Sequence, residues 1–245
     1  MRTKLVVLAI FAAGCDLVAA PRDLPKQASI APAPVNLRYQ TDPARDRVWL
    51  LTRDGVALYE NSKPYRTEVL LPGWHWAGDP YGCLPALAVG PRGEALITSD
   101  VLPKLWQVDP ESLEVTVRDL ALDADQDKDV GFSGLVYLPE QSAFFAVSSV
   151  HGSLWRIDAQ LTRGQKVQLS EPIVNACGVF QRASSGTYRT PRPPRLCAGG
   201  RGDGWVIDLT PDQRSAFVNF VPGATRPCAQ PAEAEASGSG RSTAR

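Results

Sequence analysis

The stretch SLWRID, residues 153–158, decides the fold because related stretches stand one repeat before it and one repeat after it. The earlier copy is KLWQVD (104–109), and the later copy is GWVID (204–208). Their tryptophans are spaced by 49 and 50 residues: Trp106, Trp155 and Trp205. A fixed period of this size is typical of a repeat architecture, in which one supersecondary unit recurs along the chain.

Each period contains four short runs that resemble β-strands. In the period around Trp155 these runs are 134–138, 143–148, 153–158 and 165–169. The runs are rich in aromatic and β-branched residues, and turn clusters such as GPRGE and LPEQS separate them. Nothing in 35–222 shows a helical period. The sequence therefore predicts an all-β fold made of four-stranded antiparallel units.

A single four-stranded sheet cannot bury both of its faces, so successive units must stack on one another. Four strands repeated every ~47 residues are the pattern of a β-propeller. We expect a small propeller of about four four-stranded blades, and the alternative is an incomplete arc that closes by dimerising. The expected blades are 35–71, 85–120, 133–170 and 176–222 within a domain that covers 35–222.

The blade pattern of 35–222 resembles the bacterial propeller superfamily of YVTN and quinoprotein-dehydrogenase-like repeats. This resemblance implies the propeller fold and rests on the degenerate repeat itself. Four blades is few for that superfamily, which is why the arc remains an alternative. The sequence contains no matching cofactor motif, so the resemblance carries over no catalytic residue.

The N-terminal sequence predicts that the protein is exported. A basic start, Met1 to Lys4, precedes an apolar stretch that is too short to span a bilayer, so 1–14 is interpreted as a signal peptide. The stretch FAAGC resembles a bacterial lipoprotein lipobox, in which the cysteine, here Cys15, is lipidated and becomes the mature N-terminus. Ala12 departs from that pattern, which prefers leucine. We expect a lipid-anchored protein of the bacterial cell envelope that faces the periplasm, or alternatively a soluble periplasmic or secreted protein.

Both flanks of the repeat region differ from it in composition. Residues 15–34 form a Pro/Ala-rich tether behind the lipidated end, and 223–245 are predicted to be a disordered tail.

The 26 basic and 26 acidic residues balance, so no strong field attracts nucleic acid or an anionic membrane. We expect no nucleic-acid partner, and membrane contact through the N-terminal lipid only.

Four cysteines remain after Cys15: Cys83, Cys177, Cys197 and Cys228. In an exported chain they predict two disulfides with three alternative pairings. Cys177 and Cys197 fall on neighbouring predicted strands of the fourth blade, so a bond between them is favoured. Cys228 would then tie the tail to Cys83, and the crossed pairings stay open.

The link between the second and third blades carries an alternating acidic run: Asp123, Asp125, Asp127 and Asp129. Carboxylates at every second position of a loop can converge on Ca²⁺, which prefers six to eight oxygen ligands. The run is not an EF-hand, because Lys128 occupies the sixth position and Gly134 the twelfth. A calcium site is one interpretation, and a solvated acidic link is the other.

Two further sets of residues fall on the same predicted rim of the propeller. Trp74, His75 and Trp76 lie in the link before the second blade, and His151 lies in a turn of the third. They are candidate ligand-binding residues, although large aromatic side chains also pack between blades. No catalytic set is recognisable, so the sequence favours a scaffold that binds a protein or small-molecule ligand over an enzyme. The alternative is a metal-dependent hydrolase or lactonase with a cation on this rim, and Ca²⁺ is the one cofactor considered.

Replacing the lipobox cysteine tests the anchor. Cys15→Ser should move the protein from the membrane fraction to the soluble periplasmic fraction, because the thioether that carries the lipid cannot form. The measurement is fractionation followed by immunoblotting, with Cys228→Ser as the control. An unchanged membrane fraction for Cys15→Ser would reject lipidation.

Overall fold

The computed structural model describes residues 38–74, 83–123, 131–181, 195–200 and 203–223. All of them belong to one compact unit, 37–245. The described part consists of β-strands and turns, with one single-turn 3-10 helix at Pro139–Gln141. No helix in these ranges is long and apolar enough to span a membrane. The all-β prediction is confirmed.

The strands fall into four groups of four, here called sheets 1 to 4. Sheet 1 contains β1 (Tyr39–Asp42), β2 (Arg47–Leu51), β3 (Gly55–Glu60) and β4 (Thr67–Leu70). Sheet 2 contains β5 (Leu87–Val89), β6 (Ala95–Thr98), β7 (Lys104–Val108) and β8 (Val115–Asp119), followed by the short β9 (Ala121–Leu122). Sheet 3 contains β10 (Gly134–Leu138), β11 (Ala143–Ser148), β12 (Ser153–Asp158) and β13 (Arg163–Leu169). Sheet 4 contains β14 (Gly178–Gln181), β15 (Arg195–Gly199), β16 (Asp203–Leu209) and β17 (Ser215–Pro222).

Within each sheet the four strands pair antiparallel in chain order, as a meander. Two parallel pairings connect neighbouring sheets at their last strands: β9 pairs with β13, and β13 pairs with β17. In sheet 3 the strands match the predicted runs, except that β13 begins two residues before 165. In sheet 1 the last residue of β1, Asp42, pairs with Arg47 across the first turn.

Apolar side chains fill three layers, one between each pair of successive sheets. The recurring tryptophans occupy one layer each: Trp106 lies between sheets 1 and 2, Trp155 between sheets 2 and 3, and Trp205 between sheets 3 and 4. Trp155 is fully buried, and its ring meets Phe132 edge-on at a centroid distance of 6.4 Å. Each tryptophan therefore fills the gap between its own sheet and the sheet before it.

Two of the aspartates that follow the tryptophans, Asp109 and Asp158, have structural roles. The Asp109 carboxylate accepts hydrogen bonds from the backbone N–H groups of Glu111 and Ser112, both at 2.9 Å. The Asp158 carboxylate accepts one from the N–H of Thr162 at 2.7 Å. These backbone donors hold the pKa of Asp109 below its usual value. Both side chains thus cap the turn after their strand.

The two ends of the stack are apolar and exposed. In the described part of the chain, no buried layer joins sheet 4 to sheet 1. Leu70 on sheet 1 is 71% exposed, and Phe217 on sheet 4 is 67% exposed. These side chains point away from the filled layers, because residues on opposite faces alternate along a strand. The outer faces of the first and last sheets therefore do not bury each other.

The favoured Cys177–Cys197 pairing is wrong, because Cys177 is bonded to Cys83 with a Cα–Cα distance of 4.9 Å. Strand register explains the difference. Cys197 lies opposite Phe180, whereas the Cys177 N–H donates to Gly199 O at 2.7 Å. Cys177 is thus three residues, or about 10 Å, from the position opposite Cys197, which is beyond the reach of a disulfide. Cys228, which the sequence assigned to Cys83, lies outside the described residues.

Removing one interlayer tryptophan should destabilise the whole stack. Trp155→Ala should lower the free energy of unfolding by about 3–5 kcal/mol, because it leaves a cavity between two sheets. Urea denaturation followed by circular dichroism measures this. Tyr65→Ala is the control, since Tyr65 is 66% exposed in a turn, and its loss should cost less than about 0.5 kcal/mol. Equal losses in both variants would contradict the packing role of Trp155.

Candidate binding site at the upper rim

The upper rim is the edge of the sheets at which each first strand begins and each second-to-third strand turn lies. Antiparallel meanders bring these two features to the same edge. The described residues at this edge include Arg38, Asp100, Phe132, His151 and Cys177. The chain separates them widely, and the repeated topology brings them to one surface.

The Cys83–Cys177 disulfide lies at this rim and joins the entry of sheet 2 to the entry of sheet 4. Arg38, just before sheet 1, bonds to the same two entries. Its Nη2 donates to the carbonyl oxygen of Leu84 at 3.2 Å and to that of Cys177. The Arg38 guanidinium and the disulfide thus connect sheets 1, 2 and 4 at this rim.

Burial lowers the pKa of Arg38 to about 10. A desolvated guanidinium is normally paired with a carboxylate. Among the described residues, however, Arg38 donates to backbone carbonyl oxygens and forms no ion pair.

Hydroxyl groups hold the links between sheets in place. Thr98 Oγ1 accepts from the N–H of Ala86 at 2.7 Å and donates to the carbonyl oxygen of Phe132 at 2.6 Å. Ser133 Oγ, just before sheet 3, donates to Ala176 O at 2.7 Å and so connects the entries of sheets 3 and 4. Sequence reasoning missed both residues, because a lone hydroxyl gives no pattern to detect.

Asp100 is a buried carboxylate. It follows β6, is 5% exposed, and neither of its side-chain oxygens has a hydrogen-bond partner in the described structure. Desolvation by burial raises its pKa to about 6. Gly131, at the end of the link that follows sheet 2, packs directly against the backbone of Asp100. A Cβ at position 131 would lie 1.8 Å from the Asp100 carbonyl carbon, so only glycine fits there.

The predicted calcium ligands fall partly outside the described residues. Asp125, Asp127 and Asp129 are not among them. Asp123 is described, and its carboxylate accepts a hydrogen bond from the backbone N–H of Lys166 at 2.8 Å. In the described ranges, no three histidine, cysteine, aspartate or glutamate side chains come together as a metal-binding group.

The candidate ligand-binding residues are divided between core and surface. Trp74 is 6% exposed, lies in the layer between sheets 1 and 2, and donates from Nε1 to Thr98 O at 3.0 Å. It therefore occupies the packing position that the sequence left open as an alternative. His75 and Trp76 lie outside the described residues.

His151 lines an open groove of about 430 Å³ on sheet 3. Ser153, Lys166, Gln168 and Pro172 are among its other lining residues. The groove combines an imidazole, an ammonium, a hydroxyl and an amide with apolar walls, and its volume falls within the range of small-ligand sites. Sequence reasoning identified His151 but not Lys166, which the pairing of β12 with β13 brings to the groove.

Comparison with known proteins supports the fold. No protein-family model matches the sequence, and no curated protein matches it. An auxiliary nutrient binding protein from Bacteroides thetaiotaomicron is similar in structure, with 14% identity, a TM-score of 0.53 and coverage of 76% of this chain and 42% of that one. Virginiamycin B lyase from Staphylococcus aureus has 14% identity, a TM-score of 0.51 and coverage of 76% and 54%. A streptogramin B lyase has 13% identity, a TM-score of 0.52 and coverage of 79% and 57%.

These neighbours are β-propeller-like, so the chain has a propeller-like fold. At identities this low the likeness concerns the fold alone. The chain spans about half the length of the solved structures it resembles.

Neutralising Asp100 should stabilise the protein near neutral pH. Its pKa is about 6 in the folded chain and about 3.9 in an unfolded one, so the folded state loses stability as pH rises through this window. Asp100→Asn removes this penalty and should be about 1–2 kcal/mol more stable than the parent at pH 7.5, with little difference at pH 3.5. Urea denaturation at both pH values measures this. A variant that is less stable at pH 7.5 would contradict the burial argument.

Proposed function

We propose that the chain is an exported, lipid-anchored binding module that presents the upper rim of a small propeller to a ligand. The observation that carries this proposal is the groove at His151 on a rim that the Cys83–Cys177 bond and Arg38 hold together. A preformed site costs little conformational entropy on binding. The sequence has no recognisable catalytic motif, and the groove is the observation that ranks binding above catalysis.

We count each of the four sheets as one blade. The four antiparallel meanders and the three filled layers between them support that number. The exposed outer faces of sheets 1 and 4 favour the incomplete arc over a closed four-bladed ring, because a closed ring would bury Leu70 and Phe217.

The chemistry of the groove favours a polar, anionic ligand. Lys166 contributes a positive charge, and Ser153, Gln168 and His151 contribute hydrogen-bonding groups. The groove is open to solvent, which suits a carboxylate-bearing side chain of a protein partner as well as a free small molecule. We propose a carboxylate as the shared recognition element.

A metal-dependent hydrolase or lactonase is the second candidate, and Asp100 is the observation that favours it. An unpaired buried carboxylate at the end of an acidic link is the group that a cation would neutralise. Asp125, Asp127 and Asp129 would supply further oxygens to a calcium ion. The melting temperature of the parent should then rise with millimolar calcium over chelator, and the rise should be lost in Asp100→Asn. Hydrolysis of a lactone panel that depends on calcium would establish the enzyme.

Charge removal in the groove tests the binding proposal. The probes are citrate and a tetraglutamate peptide, titrated at constant ionic strength by calorimetry. Lys166→Gln should weaken binding about three- to tenfold, which corresponds to the loss of one charge-assisted hydrogen bond. Arg163→Gln is the matched control, because Arg163 is an exposed cation on the same strand outside the groove lining. No saturable binding of either probe, or equal losses in both variants, would reject a carboxylate site at the groove.

A further inference from the structure

The link from sheet 3 to sheet 4, residues 170–177, runs from the groove to the disulfide. At one end Pro172 lines the groove, and at the other end Cys177 is bonded to Cys83. Between them Ile173 and Ala176 are fully buried in the layer between sheets 3 and 4. One short segment therefore connects a wall of the candidate binding site to a bond that can be broken chemically.

The same link holds the turn that carries His151. The N–H of Ile173 donates to Gly152 O at 2.8 Å, and the N–H of Asn175 donates to Ser149 O at 3.1 Å. These two hydrogen bonds lie on either side of His151 along the turn from β11 to β12. The position of the link therefore fixes the position of the imidazole at the groove.

Hydrogen bonds hold the disulfide end of the link in place independently of the sulfur–sulfur bond. Ser133 Oγ donates to Ala176 O at 2.7 Å, and the N–H of Cys177 donates to Gly199 O at 2.7 Å. Arg38 donates to the carbonyl oxygen of Cys177. The disulfide adds a covalent connection from this end to the entry of sheet 2. Because the hydrogen bonds remain when it is reduced, we expect the reduced chain to stay folded.

We propose that the Cys83–Cys177 disulfide is a redox switch for the groove at His151. The proposal rests on the proposed function, because ligand binding at the groove is the output of the switch. In the oxidised chain the bond holds the link against the turn, and the groove is preformed. Reduction frees the Cys177 end from sheet 2, so the link and the turn hold the binding geometry for only part of the time. The apparent dissociation constant rises by the inverse of that fraction.

The two sulfur atoms differ in exposure, which sets the order of reduction. Cys83 is 8% exposed, whereas Cys177 is half-buried at the rim. A thiolate of a protein dithiol attacks Cys177 Sγ, and Cys83 Sγ leaves as a thiolate that takes up a proton. The second thiolate of the reductant then attacks the mixed disulfide, which releases the Cys177 thiolate for protonation. Two electrons and two protons thus pass to the chain, and the dithiol becomes a disulfide.

Hydrogen exchange of the full chain tests the conformational half of the switch. In the double variant Cys83→Ser/Cys177→Ser, the amides of Ile173 and Asn175 should exchange at least about tenfold faster than in the parent, because their acceptors lie on the turn that the link releases. Amides of the central strand β11 should keep their protection. Unchanged exchange at Ile173 and Asn175 would overturn the proposal. Loss of protection throughout β11 would overturn it too, since the bond would then only stabilise the fold.

Calorimetry with citrate and a tetraglutamate peptide tests the output of the switch. Dithiothreitol should weaken binding to the parent about three- to tenfold, which corresponds to a binding-competent fraction of roughly a third to a tenth. The double variant should bind as weakly as the reduced parent and should not respond to dithiothreitol. Cys197→Ser is the matched control, because Cys197 is disulfide-bonded elsewhere on sheet 4 and its replacement retains the Cys83–Cys177 bond. It should match the parent in affinity and in its response to the reductant.

Two binding results would contradict the switch: an affinity that reduction leaves unchanged, and a loss in Cys197→Ser equal to that in the double variant. If the oxidised parent binds neither probe, the proposed function fails, whereas the hydrogen-exchange result still decides whether the bond controls the link.

Discussion

Burial of a tryptophan between each pair of successive sheets is the interaction on which the rest of the structure depends. A four-stranded sheet has two apolar faces, and a single sheet in water would leave at least one of them exposed. Trp106, Trp155 and Trp205 each fill one layer. A buried indole removes roughly 200 Å² from water, which contributes about 5 kcal/mol to each layer. The stack therefore holds its sheets at fixed spacings.

This fixed stack allows the upper rim to hold groups that would otherwise be solvated or paired. Arg38 and Asp100 are desolvated charges of opposite sign, and burial moves the pKa of each toward its neutral form. Neither forms an ion pair within the described residues. Burying such charged groups lowers the stability of the folded protein, and the packing of the sheets must offset that cost. Both groups lie at the same rim as His151, one at the entry of sheet 1 and the other after β6.

The sequence predicted the strands well and the long-range bonds poorly. Strands β10 to β12 have the predicted bounds, because alternation and turn residues act over a few positions. The Cys177–Cys197 pairing failed although both residues fall beside neighbouring strands, since a shift of three residues along the ladder separates them. Trp74 was a candidate ligand contact, yet it packs in a core layer. Aromatic composition alone does not separate these two roles.

The sequence by itself determined the repeat, the four-stranded units and the tryptophan that each layer requires, because those depend on local alternation and on a constant period. Only the tertiary structure decided that Cys83 meets Cys177 and that Arg38 bridges the entries of sheets 2 and 4. It also decided that Asp100 is buried with no hydrogen-bond partner among the described residues. These facts depend on strand register and on distances between sheets far apart in the chain. No local pattern of residues encodes such distances.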